Sequence, residues 1–501
     1  MTAIEDQRRL VTALGLPIIE THISYVLFSG EYAYKVKKAV NLEFLDFTTL
    51  EKRRFYCHEE LTLNRRLAPS IYLDVVPITG NPGSPGSNVT PILEGTGNPL
   101  EYAVKMRRFD QEGLLSRVLA RDELTSERVD EIAAEVASFH GRTARAGADV
   151  PYGAPEQVVG PARQNFSQML EVVRDPDDRV MLEQLRTWTE AEAGRCSQVL
   201  ESRHRDGYIR ECHGDLHLGN IALIADRVTL FDCIEFNPAM RWIDVMSDVA
   251  FLVMDLRDRR RPDLAARFLN TYLELTGDYP GLAVLRFYVT YRALVRAKIA
   301  TLRLAQTTGD DTGNNERRRL VAEYRDYLAL ASASARRPHP ALLITHGVTG
   351  SGKTTRAQAV VDSMGAIRIR SDVERKRLHG LQALARTASA TGEGLYTSDR
   401  DRQTYDRLAE LARMVVAAGY TAIVDAAFLQ RWQRDLLRDV AVDLNVPFTI
   451  ADCSAPEPVL RERVMKRLER GRDPSEATID VLEHQLAHAD PLSSEELALR
   501  Q

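Results

Sequence analysis

Leu342-Leu343-Ile344-Thr345-His346-Gly347-Val348-Thr349-Gly350-Ser351-Gly352-Lys353-Thr354-Thr355 is an apolar strand that runs directly into a Gly-x-x-x-x-Gly-Lys-Thr loop. A helical pattern follows, which is the context a phosphate-binding loop requires. Gly347, Gly350 and Gly352 let backbone N–H groups approach phosphate oxygens, and the amino terminus of the next helix favours anions. Lys353 adds a point charge, Thr354 is placed to hold Mg²⁺, and Ser351 and Thr355 are further nucleotide contacts. Outward from the loop, apolar runs at 366–369, 422–424 and 448–451 alternate with amphipathic helices and read as buried parallel strands. Residues 341–501 therefore predict a parallel α/β domain that binds ATP with Mg²⁺.

A second, unrelated phosphoryl-transfer pattern lies upstream: His213-Gly214-Asp215-Leu216-His217-Leu218-Gly219-Asn220, then Leu230-Phe231-Asp232. Phosphoryl transfer needs a group to orient the attacking hydroxyl, oxygen ligands for Mg²⁺ and a cation on the donor phosphates. Asp215 suits the first task, while Asn220 and Asp232 offer the hard oxygens Mg²⁺ prefers. The cation belongs on an earlier strand. Residues 22–38 alternate as two strands around Ser29-Gly30-Glu31, and they carry Lys35 and Lys37 on one face, because side chains two apart point the same way. Lys35 is preferred because it follows the apolar Tyr34, with Lys37 as its competitor. On the helix at 49–67, Glu60 shares a face with Tyr56, Leu63 and Leu67 and is preferred over Glu59 as the lysine's partner.

These residues resemble the aminoglycoside phosphotransferase family of the protein-kinase-like superfamily over roughly residues 15–330. The resemblance implies a two-lobed kinase-like fold, a small strand-rich lobe at 1–110 and a helical lobe at 111–335, with Asp215 as catalytic base. The family name does not fix the acceptor. The basic helix at 286–304, with Arg292, Arg296, Lys298 and Arg303, would suit an anionic or sugar-phosphate acceptor if it borders the acceptor pocket. Asp244 and Asp248, in the run after the metal aspartate, are read as structural.

Residues 336–340 (Arg336-Arg337-Pro338-His339-Pro340) read as a linker. Beyond it, Arg370-Ser371-Asp372-Val373-Glu374-Arg375 is similar to a segment of polynucleotide kinases, zeta-toxin-like kinases and related small-molecule P-loop kinases. That likeness implies Asp372 as base for an acceptor hydroxyl and Arg375 as an acceptor contact; a plain helix cap at Ser371 or Asp372 is the alternative. Asp425, ending another strand, is an outer carboxylate for the Mg²⁺ site. Arg463 and Arg467, followed by Gly471-Arg472-Asp473-Pro474, resemble the lid of nucleoside-monophosphate-type kinases and would supply charge to the transition state. The whole arrangement resembles a bacterial bifunctional fusion: a multidomain α/β and α+β chain with two ATP- and Mg²⁺-dependent kinase sites acting on small molecules. Two other readings stay open. One domain could bind nucleotide without catalysis and regulate the other, or the carboxy-terminal domain could phosphorylate nucleic-acid 5′-hydroxyls.

Composition excludes other classes. The 501 residues carry a formal charge of −5, with 44% hydrophobic and 27% charged residues, which disfavours a chain built to coat nucleic acid. No stretch reaches the roughly 18 apolar residues of a membrane span. The first residues hold Glu5 and Asp6 and no apolar core, so no signal peptide is expected and the location is read as cytoplasmic. Cys57, Cys196, Cys212, Cys233 and Cys453 show no Cys-x-x-Cys spacing and read as reduced structural thiols. His140 reads as a core histidine. His484 and His488 lack the glutamate of a zinc motif, since Gln485 stands in its place.

Overall fold

The alternation Tyr32-Ala33-Tyr34-Lys35-Val36-Lys37 decides how the first part of the chain packs. In the computed structural model, which describes residues 3–42, 45–81, 90–147, 150, 152–307, 311–337, 339–383, 385, 398–470, 475 and 477–500, this segment is the strand Tyr32–Lys37. Tyr34 and Val36 point to one face and bury with Val11, Tyr25, Leu27, Val76, Ile78 and Ala103. Full burial of side chains of this size contributes about 1.5–3 kcal/mol each. Lys35 and Lys37 necessarily face the other way.

The chain forms two compact units. Met1–Arg128, Arg142–Gly160 and Leu200–Leu252 make the first; Val129–Gly141, Pro161–Val199 and Val253–Gln501 make the second. In the first unit, a six-stranded antiparallel sheet runs in the order Ile18–Glu20, Ser24–Ser29, Tyr32–Lys37, Pro99–Arg107, Tyr72–Asn81, Thr90–Leu93. The helix Leu50–Arg65 is capped by Thr49, whose hydroxyl accepts the Lys52 N–H at 3.2 Å. Its Cys57 and Leu61 pack with Ile71 and with Tyr72 and Val104 of the lysine-bearing face of the sheet. Two short strand pairs, Ile221–Ile224 with Arg227–Leu230 and Ile209–Glu211 with Trp242–Asp244, frame the segment that carries Asp215 and Asp232. The Gly/Pro-rich stretch 79–86 reads from the sequence as an exposed loop; residues 79–81 instead continue the strand Tyr72–Asn81, and residues 82–86, like Pro338 of the expected linker, lie outside the described residues.

The second unit holds a four-stranded parallel sheet in the order Ile367–Arg370, Ala422–Asp425, Leu342–His346, Phe448–Asp452. The four apolar runs read from the sequence are these four strands. Leu342, Leu343 and Ile344 are buried, as continuous apolar runs are when helices cover both faces of a sheet. In the same unit the helices Leu282–Ala305 and Asp311–Ala335 pack against each other along their lengths. No described helix is long and apolar enough to cross a membrane.

Arg434, in the helix Arg431–Asp443, is 1% exposed. Its guanidinium donates to both Glu496 carboxylate oxygens and to the carbonyl of Phe428 at 3.0 Å. Burial opposes the Glu496 charge, but the bonds from Arg434 and the Ser493 N–H hold that carboxyl at about 2. Arg434→Ala leaves a buried carboxylate unpaired and is expected to cost about 3–5 kcal/mol, read as a lowered thermal midpoint of the second unit. The stabilisation by this pair is complete above the ordinary glutamate value of 4.5 and is lost as pH falls through about 2. A denaturation series across that window checks the sign.

Candidate active sites

The lysine-bearing face meets the helix Leu50–Arg65 at Glu60, whose side chain is fully buried. Glu60 Oε1 lies 2.8 Å from Lys35 Nζ, and Oε2 lies 2.7 Å from Lys37 Nζ. Lys35 also reaches Asp232 Oδ1 at 2.6 Å, while Lys37 pairs with Glu235. Both lysines therefore share one glutamate, and depth separates them. Lys35 is 14% exposed beside the 41% exposed Asp232; Lys37, at 1%, is sealed. Burial works against both ammonium charges. It is outweighed at Lys35 by Asp232 and Glu60 and at Lys37 by Glu235 and Glu60, so both stay charged above the ordinary lysine range. Burial likewise pushes Glu60 up, but Lys35 and Lys37 bring it below the ordinary glutamate range. Glu59 points elsewhere, toward Arg241 at 3.3 Å.

The loop carrying Asp215 is fixed from beneath. Asp248 accepts the His213 N–H and the Gly214 N–H, both at 2.9 Å, and Asp244 pairs with the buried Arg203. Gly214 has φ of +86°, and a Cβ there would fall 2.8 Å from Met240 O, so the turn requires glycine. The His213 ring, which accepts the Asp215 N–H on Nδ1, donates from Nε2 to Phe231 O at 2.9 Å and ties this loop to the Asp232 segment. Asn220 Nδ2 donates to both the backbone O and Oδ2 of Asp215 at 3.0 Å. His217 accepts the Gly219 N–H on Nδ1, which leaves its proton on Nε2, 3.4 Å from Asp215 Oδ2. Asp232 itself holds φ of +64°, a left-handed conformation that aspartate tolerates better than most residues.

In the second unit one cavity gathers Lys353, Thr354, Thr355, Asp372, Arg375 and Asp425, together with Arg463 and Arg467. Gly347 has φ of +135°, and a Cβ there would meet Cys453 O at 2.2 Å. Gly350 and Gly352 line the cavity and Ser351 is buried behind it. Lys353 Nζ donates to Val348 O at 2.8 Å; desolvation lowers its pKa, with Asp425 and Asp372 opposing. The arginines expected in a lid reach the loop itself: Arg467 donates to Thr349 Oγ1 at 2.9 Å and Arg463 to Gly350 O at 3.2 Å. Residues 471–474, read with that lid, lie outside the described residues. Arg375 lies 3.5 Å from Asp372 and 2.7 Å from Asp401. The helix Ser371–Leu378 has Arg370, not Ser371 or Asp372, at its cap position. The buried Oδ2 of Asp425 has no hydrogen-bond partner among the described residues.

Residues 89–288 match the model of the phosphotransferase enzyme family, and residues 342–492 match that of an AAA domain. The chain carries both domains. A protein of Mycobacterium tuberculosis and one of Mycobacterium bovis, both uncharacterised, are 28% identical over 456 residues, 90% of this chain and 86% of each relative. Among solved structures, a sugar kinase from Janibacter is 24% identical over 31% of this chain and 82% of its own, with a TM-score of 0.25. A choline/ethanolamine kinase family protein from Mesorhizobium loti is 13% identical over 66% of this chain and all of its own, with a TM-score of 0.36.

Several residues at these phosphotransferase-type and P-loop sites escape a reading of the sequence. Glu235 and His217 stand beside motif residues, and their only signal is a charged or titratable group flanked by apolar neighbours. Gln485 accepts the Thr349 N–H at 2.7 Å, and His484 and His488 stack 4.2 Å apart at the same cavity. The basic helix face is taken up by neighbouring helices: Arg286 pairs with Glu192, Arg303 with Glu316, and Arg296 donates to the Tyr327 hydroxyl. His140 is buried and bonds the Tyr272 hydroxyl at 2.9 Å. The two lysines yield a contrast. Lys37→Met leaves the buried Glu235 without its lysine and takes one of two lysines from Glu60, and is expected to cost about 3–5 kcal/mol of stability, whereas Lys35→Met, at the open end, costs less and suppresses the ATP turnover that depends on Asp215. Thermal unfolding and ATP turnover of the two variants, measured together, check this division.

Proposed function

We propose that the protein is an ATP- and Mg²⁺-dependent phosphotransferase with two active sites, each moving the γ-phosphoryl group of ATP to a hydroxyl of a small-molecule acceptor. The convergence of Glu60 and Asp232 on Lys35 carries the reading, because it is the cation-and-carboxylate set that phosphoryl transfer uses. The five free cysteines suit action in the reducing cytoplasm.

In the first site Asp215 takes the proton of the acceptor hydroxyl as its oxygen bonds to phosphorus and the bond to the β-phosphate breaks. Asn220 and His217 hold Asp215 Oδ2, so the carboxylate enters the reaction already oriented. Lys35 binds the donor phosphates. In the second site Lys353 exchanges its bond to Val348 O for phosphate oxygens, Arg463 and Arg467 add positive charge, Asp372 serves as base and Arg375 contacts the acceptor.

The oxygen donors fit Mg²⁺: Asn220 and Asp232 would hold it in the first site, Thr354 and Asp425 in the second, where Asp425 Oδ2, with no hydrogen bond among the described residues and Arg370 only at 3.9 Å, can accept from an ion's waters. Bound Mg²⁺ neutralises charge on the phosphate oxygens. Incubation of the purified protein with ATP and a cellular metabolite extract should yield products heavier by one phosphoryl unit. Asp215→Asn is expected to suppress one set of products and Asp372→Asn another, each by about 10²–10⁴-fold in rate. Lys353→Ala should suppress the second set as well. Retention of all products in Asp215→Asn would remove that residue from the role of base, and the same outcome in Asp372→Asn would remove Asp372.

A further inference from the structure

The helix Pro262–Thr276 begins and ends within the stretch matched by the phosphotransferase family, yet it finishes the parallel sheet of the second unit. Its Ala266 packs with Leu343, Ala357, Val360, Val361 and Ile423. Its Asn270, 2% exposed, turns both ends of its amide to the strand Ile367–Arg370: Nδ2 donates to Ala366 O at 3.0 Å, and Oδ1 accepts the Arg368 N–H at 2.6 Å. That strand is at the edge of the sheet, so Asn270 satisfies backbone groups that a neighbouring strand would otherwise take.

One turn along the helix, Glu274 collects three arginines. Its Oε1 lies 2.8 Å from Arg368 Nε and 2.6 Å from Arg368 Nη2, its Oε2 lies 3.7 Å from Arg370 Nη1, and its backbone carbonyl accepts from Arg377. Arg368 and Arg370 immediately precede Asp372 and Arg375; Arg377 immediately follows them. Glu274 therefore brackets the segment on both sides and neutralises cations that would otherwise repel one another. Arg370 also lies 3.9 Å from Asp425, so the same glutamate bears on the metal-side carboxylate.

We propose that Asn270 and Glu274 are positioning residues of the second active site: they hold the strand Ile367–Arg370 and so place Asp372 and Arg375 against the transferred phosphoryl group. A helix from the first family domain thereby completes the acceptor side of the P-loop domain. The proposal rests on the reading of Asp372 and Arg375 as acceptor-side residues.

The test uses the full chain carrying Asp215→Asn, so that transfer by the first site is suppressed, and compares it with the same chain bearing Asn270→Ala or Glu274→Gln. Backbone hydrogen exchange over residues 366–378 should rise about 10-fold while residues 347–355 exchange as before. A non-hydrolysable ATP analogue should bind within about 2-fold of the parent, and Asp372-dependent phosphoryl transfer into a metabolite extract should fall by about 10-fold or more. Unchanged exchange over 366–378 in both variants overturns the proposal. Faster exchange that spreads to 347–355 also overturns it, because the two residues would then be general supports of the fold. Faster exchange at 366–378 with unaltered transfer overturns the positioning role. If Asp372→Asn transfers as well as the parent, the reading of Asp372 as base is what fails, and exchange still decides whether the helix holds the strand.

Discussion

Glu60 gives one carboxylate oxygen to each of two lysines, and the first site is assembled around that division. Removing a carboxylate or an ammonium from water costs several kcal/mol per ion even after relaxation, so such a cluster persists only when its charges interlock. Here the strand Tyr32–Lys37 supplies both cations, the helix Leu50–Arg65 supplies the shared anion, and the segment after Phe231 supplies Asp232 and Glu235. Displacing any one of these three elements leaves a buried charge without its partner. The cluster holds two lysines against three carboxylates, and the surplus negative charge falls at its exposed end, on Asp232, where a divalent cation can answer it.

The two candidate sites hold the groups read as phosphate-binding in different ways. In the first, carboxylates occupy the lysine. In the second, the loop's own backbone and the following helices occupy the cations and an amide: Val348 O takes Lys353, Thr349 takes Arg467, and Gln485 takes the Thr349 N–H. The first arrangement is ionic and largely buried, whereas the second is a set of single hydrogen bonds that phosphate oxygens can replace one at a time.

Much of this was legible in the sequence because it is local. The glycine spacing of 347–352 encodes a loop whose close approach to Cys453 O forbids a Cβ, and the apolar runs of the second unit became strands with shifts of about a residue at their ends. Lys35 and Lys37 could not be told apart by pattern, since the period of a strand places both on one face; only the depth of the surrounding structure distinguishes them. Glu235, Gln485, Asn270 and Glu274 act on partners far away in sequence, and no local regularity marks them. The basic helix shows the same limit, because charge composition does not reveal that Glu192, Glu316 and Tyr327 receive Arg286, Arg303 and Arg296.

The pairing of Asn270 with an edge strand also bears on how this polypeptide can be dissected. A cut within residues 336–340 looks natural from sequence, but the released carboxy-terminal piece would expose the outer N–H and C=O groups of Ile367–Arg370 and the apolar surface that Ala266 covers. Bare edges of that kind recruit strands from other molecules. Such a fragment is expected to self-associate, while a piece that begins before Pro262 keeps its own cover.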